Sequence, residues 1–174
     1  MQNVTNPGNL CVLVMGPSGV GKSTFAQALA SALNANFIEG DDFHPPRNRA
    51  AMSAGQPLTD EMRMPWLNTL ANAVRTSAER QDTVFTCSAL KLRYRDLLRL
   101  GIGNLQLLCL SAPRDLIRAR MNARQHFMPA ELLDSQIEAL EIPTSEENPI
   151  MLDMSQDLDA NIGIAISELT RRQD

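Results

Sequence analysis

The stretch "GPSGVGKST", residues 16–24, directly follows the apolar run "LCVLVM" of residues 10–15. It matches the pattern GxxxxGK[ST], in which glycines let the chain turn tightly so that successive backbone N–H groups point inward and bind an anion. Residues 22–33 then have the apolar spacing of a helix, whose N-terminus would face the bound phosphates. A strand, a phosphate-binding loop and a helix in this order predict an α/β domain that binds a nucleotide.

The positions of the loop predict which atoms contact the nucleotide. Lys22 is expected to bridge the β- and γ-phosphates, and the hydroxyl of Ser23 is expected to ligate magnesium. The other loop residues offer backbone N–H groups to the phosphates. The predicted nucleotide-binding residues of the loop are Gly16, Ser18, Gly19, Val20, Gly21, Lys22, Ser23 and Thr24.

Strand candidates alternate with helix candidates along the rest of the chain. Apolar runs without strict alternation predict strands covered on both faces of a parallel sheet, at residues 10–15, 36–39, 83–87, 105–110 and, more weakly, 150–153. Helical spacing predicts helices at 22–33, from Pro65 to 78, and at about 91–100, 113–124, 129–141 and 157–172. With no repeat or linker in its 174 residues, the sequence predicts one three-layer α/β domain, residues 1–174, with right-handed crossovers.

Charge and composition disfavour several classes of function. A formal net charge of −4 argues against a nucleic-acid or membrane-surface partner, because such proteins usually present a basic face. No apolar run approaches the roughly 20 residues of a membrane span, and "MQNVTNPGNL" does not resemble a signal peptide. The three cysteines lie in apolar runs, which indicates buried, reduced thiols. We therefore expect a cytoplasmic protein with a small-molecule partner.

Other motifs narrow the kind of phosphate-loop protein. The DxxG and NKxD motifs of regulatory GTPases do not occur in the sequence. A motor or AAA-type ATPase usually has an acid at the end of a strand, but the strand candidate "TVFTC" is followed by Ser88. A small-molecule kinase remains, in which the protein positions the acceptor and neutralises the charge of the transferred phosphoryl group.

Such a kinase needs a carboxylate close to the acceptor hydroxyl. Asp41 follows the second strand candidate, and ligands of open α/β sheets bind at the carboxyl ends of the strands. We therefore predict Asp41 as the base, although spacing alone equally allows an aspartate that caps a helix or forms a turn. His44 is a lone histidine, which is more often structural or exposed than catalytic. Both residues lie in the polar, turn-rich segment of residues 40–64, which we expect to be irregular, and such a stretch in a compact domain is usually functional or disordered.

The kinase also needs cations for the acceptor and for the moving phosphoryl group. Arg63 precedes Met64, and Lys91 follows the third strand candidate, whereas Arg93, Arg99 and Arg114 are expected on a solvated helix face. Two further arginines, Arg120 and Arg124, lie one helical turn apart on one face, from which they could close over ATP.

The sequence resembles one family, the gluconate kinases of the thermoresistant type, from about residue 10 to residue 143. Besides the phosphate loop, the resemblance rests on "GDDFHPPRN", "MSAGQPLTDEMRMPWL", "CSALKLRYRDLLR" and "HFMPAELLDSQIEALEIP". The loop is common to many families. The other motifs in this order are specific, and shikimate and nucleoside monophosphate kinases lack them.

The resemblance implies ATP-dependent phosphorylation of the terminal hydroxyl of D-gluconate, with magnesium, giving 6-phospho-D-gluconate and ADP. It also implies a nucleoside monophosphate kinase-like fold with about five parallel strands, a substrate-side segment at about 40–64, a lid at about 118–130, and a homodimer. At matching positions, the implied catalytic residues are Lys22, Asp41 and Arg120, and the implied lid contacts to ATP are Arg120 and Arg124. The implied substrate contacts are Asp41, His44, Arg49, Arg63, Lys91, Arg95 and His126, with Trp66 and Tyr94 as packing residues.

The sequence departs from the family pattern at three places. Ala51 replaces a lysine, Met62 interrupts a run of acids, and the lid segment "ARQHF" lacks a glycine and is one residue shorter. Loss of the glycine predicts a stiffer or reshaped lid. A kinase for another hydroxy acid or polyol, and a nucleotide-binding regulatory module without catalysis, therefore stay open as alternatives.

Overall fold

A computed structural model describes residues 8–123, 129 and 131–173 of the chain. In this part of the chain, five strands form one fully parallel sheet in the order β2-β3-β1-β4-β5. The strands are β1 (Cys11–Met15), β2 (Asn36–Ile38), β3 (Thr83–Thr86), β4 (Leu105–Ser111) and β5 (Ile150–Asp153). The predicted α/β class with a central five-stranded parallel sheet is confirmed.

Helices cover both faces of the sheet. They are α1 (Lys22–Leu33), α2 (Pro46–Ser53), α3 (Asp60–Ala78), α4 (Leu92–Ile102), α5 (Arg114–Ala123), α6 (Leu132–Ala139) and α7 (Leu158–Arg171). Two short 3-10 helices, Gly40–Phe43 and Ser145–Glu147, lie between them. No helix within the described ranges combines the length and the apolar character needed to span a bilayer.

Strand β1 lies at the centre of the core because both of its faces are buried. Val12 and Val14 join the apolar cluster that contains Phe25 of α1. Leu13, between them, joins the opposite cluster, which contains Leu70 of α3. Burial on both faces explains why this strand is apolar without interruption. The weakest strand candidate, β5, lies at the edge of the sheet, where only alternate residues are buried.

The segment of residues 40–64 is more regular than the sequence predicts. It contains α2 and the first turn of α3, so the expectation of a long irregular stretch is wrong. Pro46 takes the first position of α2, where its missing N–H costs nothing. The helix has little apolar periodicity, because Asn48 and Met52 are its only buried residues, and it therefore gives a weak sequence signal.

Helix α3 begins five residues before the predicted start at Pro65. Thr59 caps it by accepting a hydrogen bond from Met62 N at 3.3 Å, and Asp60 and Glu61 lie in the first turn, where the helix dipole favours acids. Pro65 is therefore inside the helix. The cap and the acids together explain why the helix extends upstream of a proline.

The sheet brings three strand ends to one edge. Strand β1 pairs with β3, and β3 pairs with β2, so the phosphate loop after β1 lies beside the chain that leaves β2 and β3.

The buried cysteines Cys11, Cys87 and Cys109 are free thiols, as expected from the sequence.

Candidate functional site

Two adjoining cavities open at the carboxyl edge of the sheet. The first, here the loop cavity, is lined by Ser18, Gly19, Gly21, Lys22, Ser23, Thr24, Asp41 and Arg120. The second, here the side cavity, extends from the loop to α4 and α6, and its polar lining includes Ser18, Lys22, Asp41, His44, Arg63, Lys91, Tyr94 and Gln136. The two cavities share Ser18, Lys22 and Asp41. A group bound in one cavity therefore meets a group bound in the other at these three residues.

The shape of the phosphate loop depends on its glycines. Gly16, Gly19 and Gly21 have φ values of 148°, 80° and 109°, a region that residues with a side chain rarely adopt. A Cβ on Gly19 would lie 2.4 Å from Cγ of Met121, because the loop packs directly on α5. Gly21 is the N-cap of α1, so the N-terminus of that helix opens into the loop cavity. This is the arrangement that the motif predicts.

The side chain of Lys22 folds back over the loop. Its Nζ donates hydrogen bonds to the carbonyl oxygens of Gly16 and Pro17, each at 3.0 Å. Burial lowers the pKa of Lys22, while the charges of Asp41 and Glu39 act in the opposite direction. The ammonium group thus contacts the loop carbonyls and is influenced by the charges of two carboxylates.

Glu39 is a site residue that our reading of the sequence missed. Its carboxylate accepts hydrogen bonds from the hydroxyls of Ser23 and Thr86, so it lies next to the predicted magnesium ligand. The signal was present, since Glu39 directly follows β2 and precedes Asp41 by two residues. A hydroxyl and one carboxylate suit magnesium, which usually takes one or two protein carboxylates together with phosphate oxygens and water. No cluster of three or more His, Cys, Asp and Glu suited to a metal was found in the described part of the chain.

Asp41 lies in the 3-10 helix that follows β2 and lines both cavities. Arg49, on α2, donates a hydrogen bond from Nη2 to the main-chain oxygen of Asp41 at 2.9 Å. Arg49 was predicted to contact substrate, but it does not line either cavity. In this structure Arg49 acts on the backbone that carries Asp41.

Gly40 allows the end of β2 to approach β3. Its N–H donates to Thr86 Oγ1 at 3.0 Å, and its carbonyl oxygen accepts from Trp66 Nε1 at 2.8 Å. A Cβ at this position would lie 1.9 Å from the carbonyl oxygen of Thr86. Only glycine fits, and the residues on either side of it are the carboxylates Glu39 and Asp41.

His44 is buried and stacks on Trp66, with ring centroids 3.9 Å apart and an interplanar angle of 22°. Its Nε2 lies 3.6 Å from Oδ1 of Asp41. Burial lowers the pKa of His44 to about 4, and the charges of Arg63 and Arg49 act in the same direction. The ring is therefore neutral at physiological pH.

Three cations contact the ring of Tyr94, which lines the side cavity. The guanidinium carbons of Arg63 and Arg93 lie 5.5 Å from the centre of its ring, and Nζ of Lys91 lies 5.8 Å from it. Asp60 accepts a hydrogen bond from the Tyr94 hydroxyl and pairs with Lys91 at 3.6 Å and with Arg93. Tyr94, expected only to pack, is buried and also lines the cavity between two predicted substrate-binding cations.

Arg95 does not reach either cavity, contrary to the substrate contact expected for it. Its side chain is 1% exposed and forms a two-point ion pair with Glu147, from Nε at 2.6 Å and from Nη2 at 2.8 Å. Nη1 donates to the carbonyl oxygens of Ala89 and Leu90 at 2.9 and 3.2 Å. The guanidinium thus ties the start of α4 to the Ser145–Glu147 turn. The role of Arg95 in this structure is to hold these segments together.

Helix α6 closes one side of the side cavity. Its contribution comes from Leu132, Ser135, Gln136 and Ala139, none of which we had predicted in the site. Oε1 of Gln136 accepts from the backbone N–H of Ser18 at 2.8 Å, and its Nε2 donates to Ser18 Oγ at 3.3 Å. A residue 118 positions away thus contacts the phosphate loop, which no local sequence pattern indicates.

Arg120 lies at the loop cavity, on the face of α5 that meets the phosphate loop. It donates to the carbonyl oxygens of Val20 and Met154 at 3.2 and 2.8 Å. Its guanidinium therefore lines the cavity in which phosphate is expected to bind. The other predicted lid residues, Arg124 and His126, lie outside the described residues.

The sequence is similar to those of several kinases that phosphorylate gluconate according to their names. It is 44% identical over 153 residues to the thermosensitive gluconokinase of Escherichia coli (strain K12), covering 86% of this chain and 81% of that protein. It is 37% identical over 172 residues to the thermoresistant gluconokinase of the same organism, covering 97% and 98% of the two chains. The chain belongs to the gluconokinase family.

The three-dimensional comparison agrees with the family. A gluconokinase from Sinorhizobium meliloti 1021 superposes with a TM-score of 0.83 at 41% identity, covering 95% of this chain and 93% of that one. A family described as "AAA domain" matches residues 11–143. This match agrees with the predicted phosphate-loop kinase fold.

We predict that Gly40→Ala impairs both stability and activity. The new methyl group would force β2 away from Thr86 and displace the two carboxylates beside it. We expect the free energy of unfolding, measured by denaturant titration, to fall by about 2 kcal/mol or more.

The matched control is Gly163→Ala, in the interior of α7, where a Cβ meets nothing within 4 Å. This change should raise the free energy of unfolding by up to about 1 kcal/mol and leave activity unchanged. Equal stability of Gly40→Ala and the wild-type chain would contradict the tight packing described for Gly40.

Proposed function

We propose that this protein transfers the γ-phosphoryl group of ATP to the terminal hydroxyl of D-gluconate, giving 6-phospho-D-gluconate and ADP. One observation carries the proposal: Lys22 and Asp41 lie on the wall that the loop cavity and the side cavity share. A cation for the phosphates and a carboxylate for the acceptor hydroxyl thus meet at one point. The names of the relatives in the family supply the identity of the acceptor.

The loop cavity supplies the contacts for ATP. The loop N–H groups and the N-terminus of α1 would bind the β- and γ-phosphates. The Lys22 ammonium would exchange its bonds to Gly16 and Pro17 for the phosphate oxygens, and Arg120 would offset the charge that builds up during transfer.

The residues beside Lys22 fit a magnesium ion. Ser23 would hold it through its hydroxyl, and Glu39 would hold the hydration shell or the ion itself through its carboxylate. When bound, the ion neutralises charge on the phosphates. Glu39 also fixes the Ser23 hydroxyl, because Thr86 anchors its second oxygen.

The side cavity supplies the contacts for the sugar acid. Asp41 would orient the terminal hydroxyl and accept its proton as the hydroxyl oxygen bonds to the γ-phosphorus and the bond from phosphorus to ADP breaks. Arg63 and Lys91, which line the same cavity and contact the Tyr94 ring, would bind the carboxylate of gluconate. A substrate that carries both a carboxylate and a reacting hydroxyl, as an aldonate does, fits this set of residues.

Two further properties belong to the proposal. We expect a homodimer, as the resemblance to the gluconate kinases implies, and light scattering of the purified chain would test it. We also expect a cytoplasmic location. Three free, buried cysteines support a reducing environment.

A coupled assay that detects ADP tests the function directly. The purified chain is offered gluconate and a panel of other aldonates and polyols at matched concentrations. We expect the highest kcat/KM with gluconate and phosphate at the terminal carbon of the product. Turnover with another hydroxy acid but not with gluconate would establish the first alternative, and ATP binding without any turnover would establish the regulatory module.

We predict that Asp41→Asn lowers kcat by about 100-fold or more, because a positioned base contributes on this order. The affinity for an ATP analogue, measured by calorimetry, should stay within about threefold. Asp42→Asn is the matched control, since Asp42 is exposed and lines neither cavity. Equal loss of nucleotide affinity and kcat in Asp41→Asn would show that Asp41 serves the nucleotide.

We predict that Glu39→Gln raises the magnesium concentration required for half-maximal activity. The amide keeps one acceptor for a hydroxyl but removes the negative charge beside Ser23. We expect a shift of about tenfold or more, in line with the effect of outer-shell partners on metal affinity. An unchanged magnesium dependence would leave Glu39 a purely structural residue.

A further inference from the structure

The surroundings of His44 give it one defined hydrogen-bonding state. Asn48, on α2 and fully buried, donates from Nδ2 to the carbonyl oxygen of Met62 at 3.0 Å. The same Nδ2 lies 3.4 Å from Nδ1 of His44. A carbonyl oxygen can only accept, so the contact with Met62 requires the amide nitrogen, and the same nitrogen faces the histidine.

This orientation determines the tautomer of the ring. An Nδ2 donor facing Nδ1 makes Nδ1 an acceptor, which places the proton of the neutral ring on Nε2. Oδ1 of Asn48 has no hydrogen-bond partner among the described residues, although it is buried. Of the two ends of the amide, it is thus the Nδ2 donor that makes the contacts with Met62 and His44.

The protonated nitrogen faces the proposed base. Nε2 of His44 lies 3.6 Å from Oδ1 of Asp41, somewhat longer than a hydrogen bond. Such contacts are often long in free enzymes and shorten when substrate binds. The stack on Trp66, itself tied to Gly40, prevents the ring from turning away.

We infer that His44 positions the Asp41 carboxylate through its Nε2–H, and that Asn48 fixes the tautomer that this requires. The inference rests on the proposed role of Asp41 as the base. A neutral donor orients a carboxylate without cancelling its charge, whereas an imidazolium would weaken it as a base.

The charged groups around the ring favour the neutral form. Arg49 on α2 and Arg63 on α3 both oppose protonation, as burial does, and Asp41 is the carboxylate that faces the ring. His44 is therefore a positioning residue that acts through Asp41.

Nitrogen-15 NMR of the free protein tests the tautomer without any substrate. The chain has two histidines, and the spectrum of His44→Gln identifies the signals of His44. We expect a neutral ring protonated at Nε2 at pH 7. A ring protonated at Nδ1, or one that titrates near pH 6.5, would overturn the inference.

Kinetics test the effect on Asp41. His44→Phe keeps an aromatic ring on Trp66 but removes the donor, and His44→Gln keeps a donor near the position of Nε2. We expect kcat to fall about tenfold or more in His44→Phe, with KM for both substrates within about threefold, and to recover at least about fivefold in His44→Gln. Thermal unfolding of both variants would show that they are folded.

Equal kcat in the two variants, or wild-type kcat in His44→Phe, would contradict the positioning role. The comparison uses whichever aldonate the wild-type chain phosphorylates. Failure of gluconate as a substrate would thus reject the proposed function, while the NMR spectrum and the variant kinetics still decide this inference.

Discussion

The site depends on the close approach of two strand ends at Gly40. Its N–H binds the Thr86 side chain, its carbonyl oxygen binds Trp66, and there is no room for a Cβ. Because these contacts fix Gly40, the carboxylates on either side of it face different parts of the site. Glu39 faces Ser23 of the phosphate loop, and Asp41 faces the junction of the two cavities.

A second layer of residues holds the first in place without lining a cavity. Arg49 binds the backbone of Asp41, Trp66 supports the His44 ring, and Asn48 orients that ring. Gln136, which does line the side cavity, holds the phosphate loop in place from α6. The orientation of the few groups that would contact the substrates thus depends on contacts with neighbouring supporting residues.

Local patterns predicted the part of the site that is local in sequence. The phosphate loop has a fixed spacing, and Asp41 follows a strand, so both could be placed before the structure was known. Residues whose role depends on partners distant in sequence could not be placed in this way. Arg95 is buried because Glu147 lies opposite it, and Gln136 reaches Ser18 from another helix.

The same limit applies to the fold. The strands followed from uninterrupted apolar runs, whereas α2 was missed because its buried face has only Asn48 and Met52. The only local signal for α2 is Pro46 at its first position, whereas the packing of the helix depends on tertiary contacts.

The position of β2 in the sheet has a consequence for how the protein fails on heating. This strand has three residues, lies at the edge of the sheet and pairs with β3 on one side. Glu39 and Asp41 both follow this short edge strand, whereas the phosphate loop follows the central strand β1. Local opening of the β2 edge of the sheet therefore needs less free energy than global unfolding. On warming, the capacity to use the acceptor should disappear at a lower temperature than the capacity to retain nucleotide.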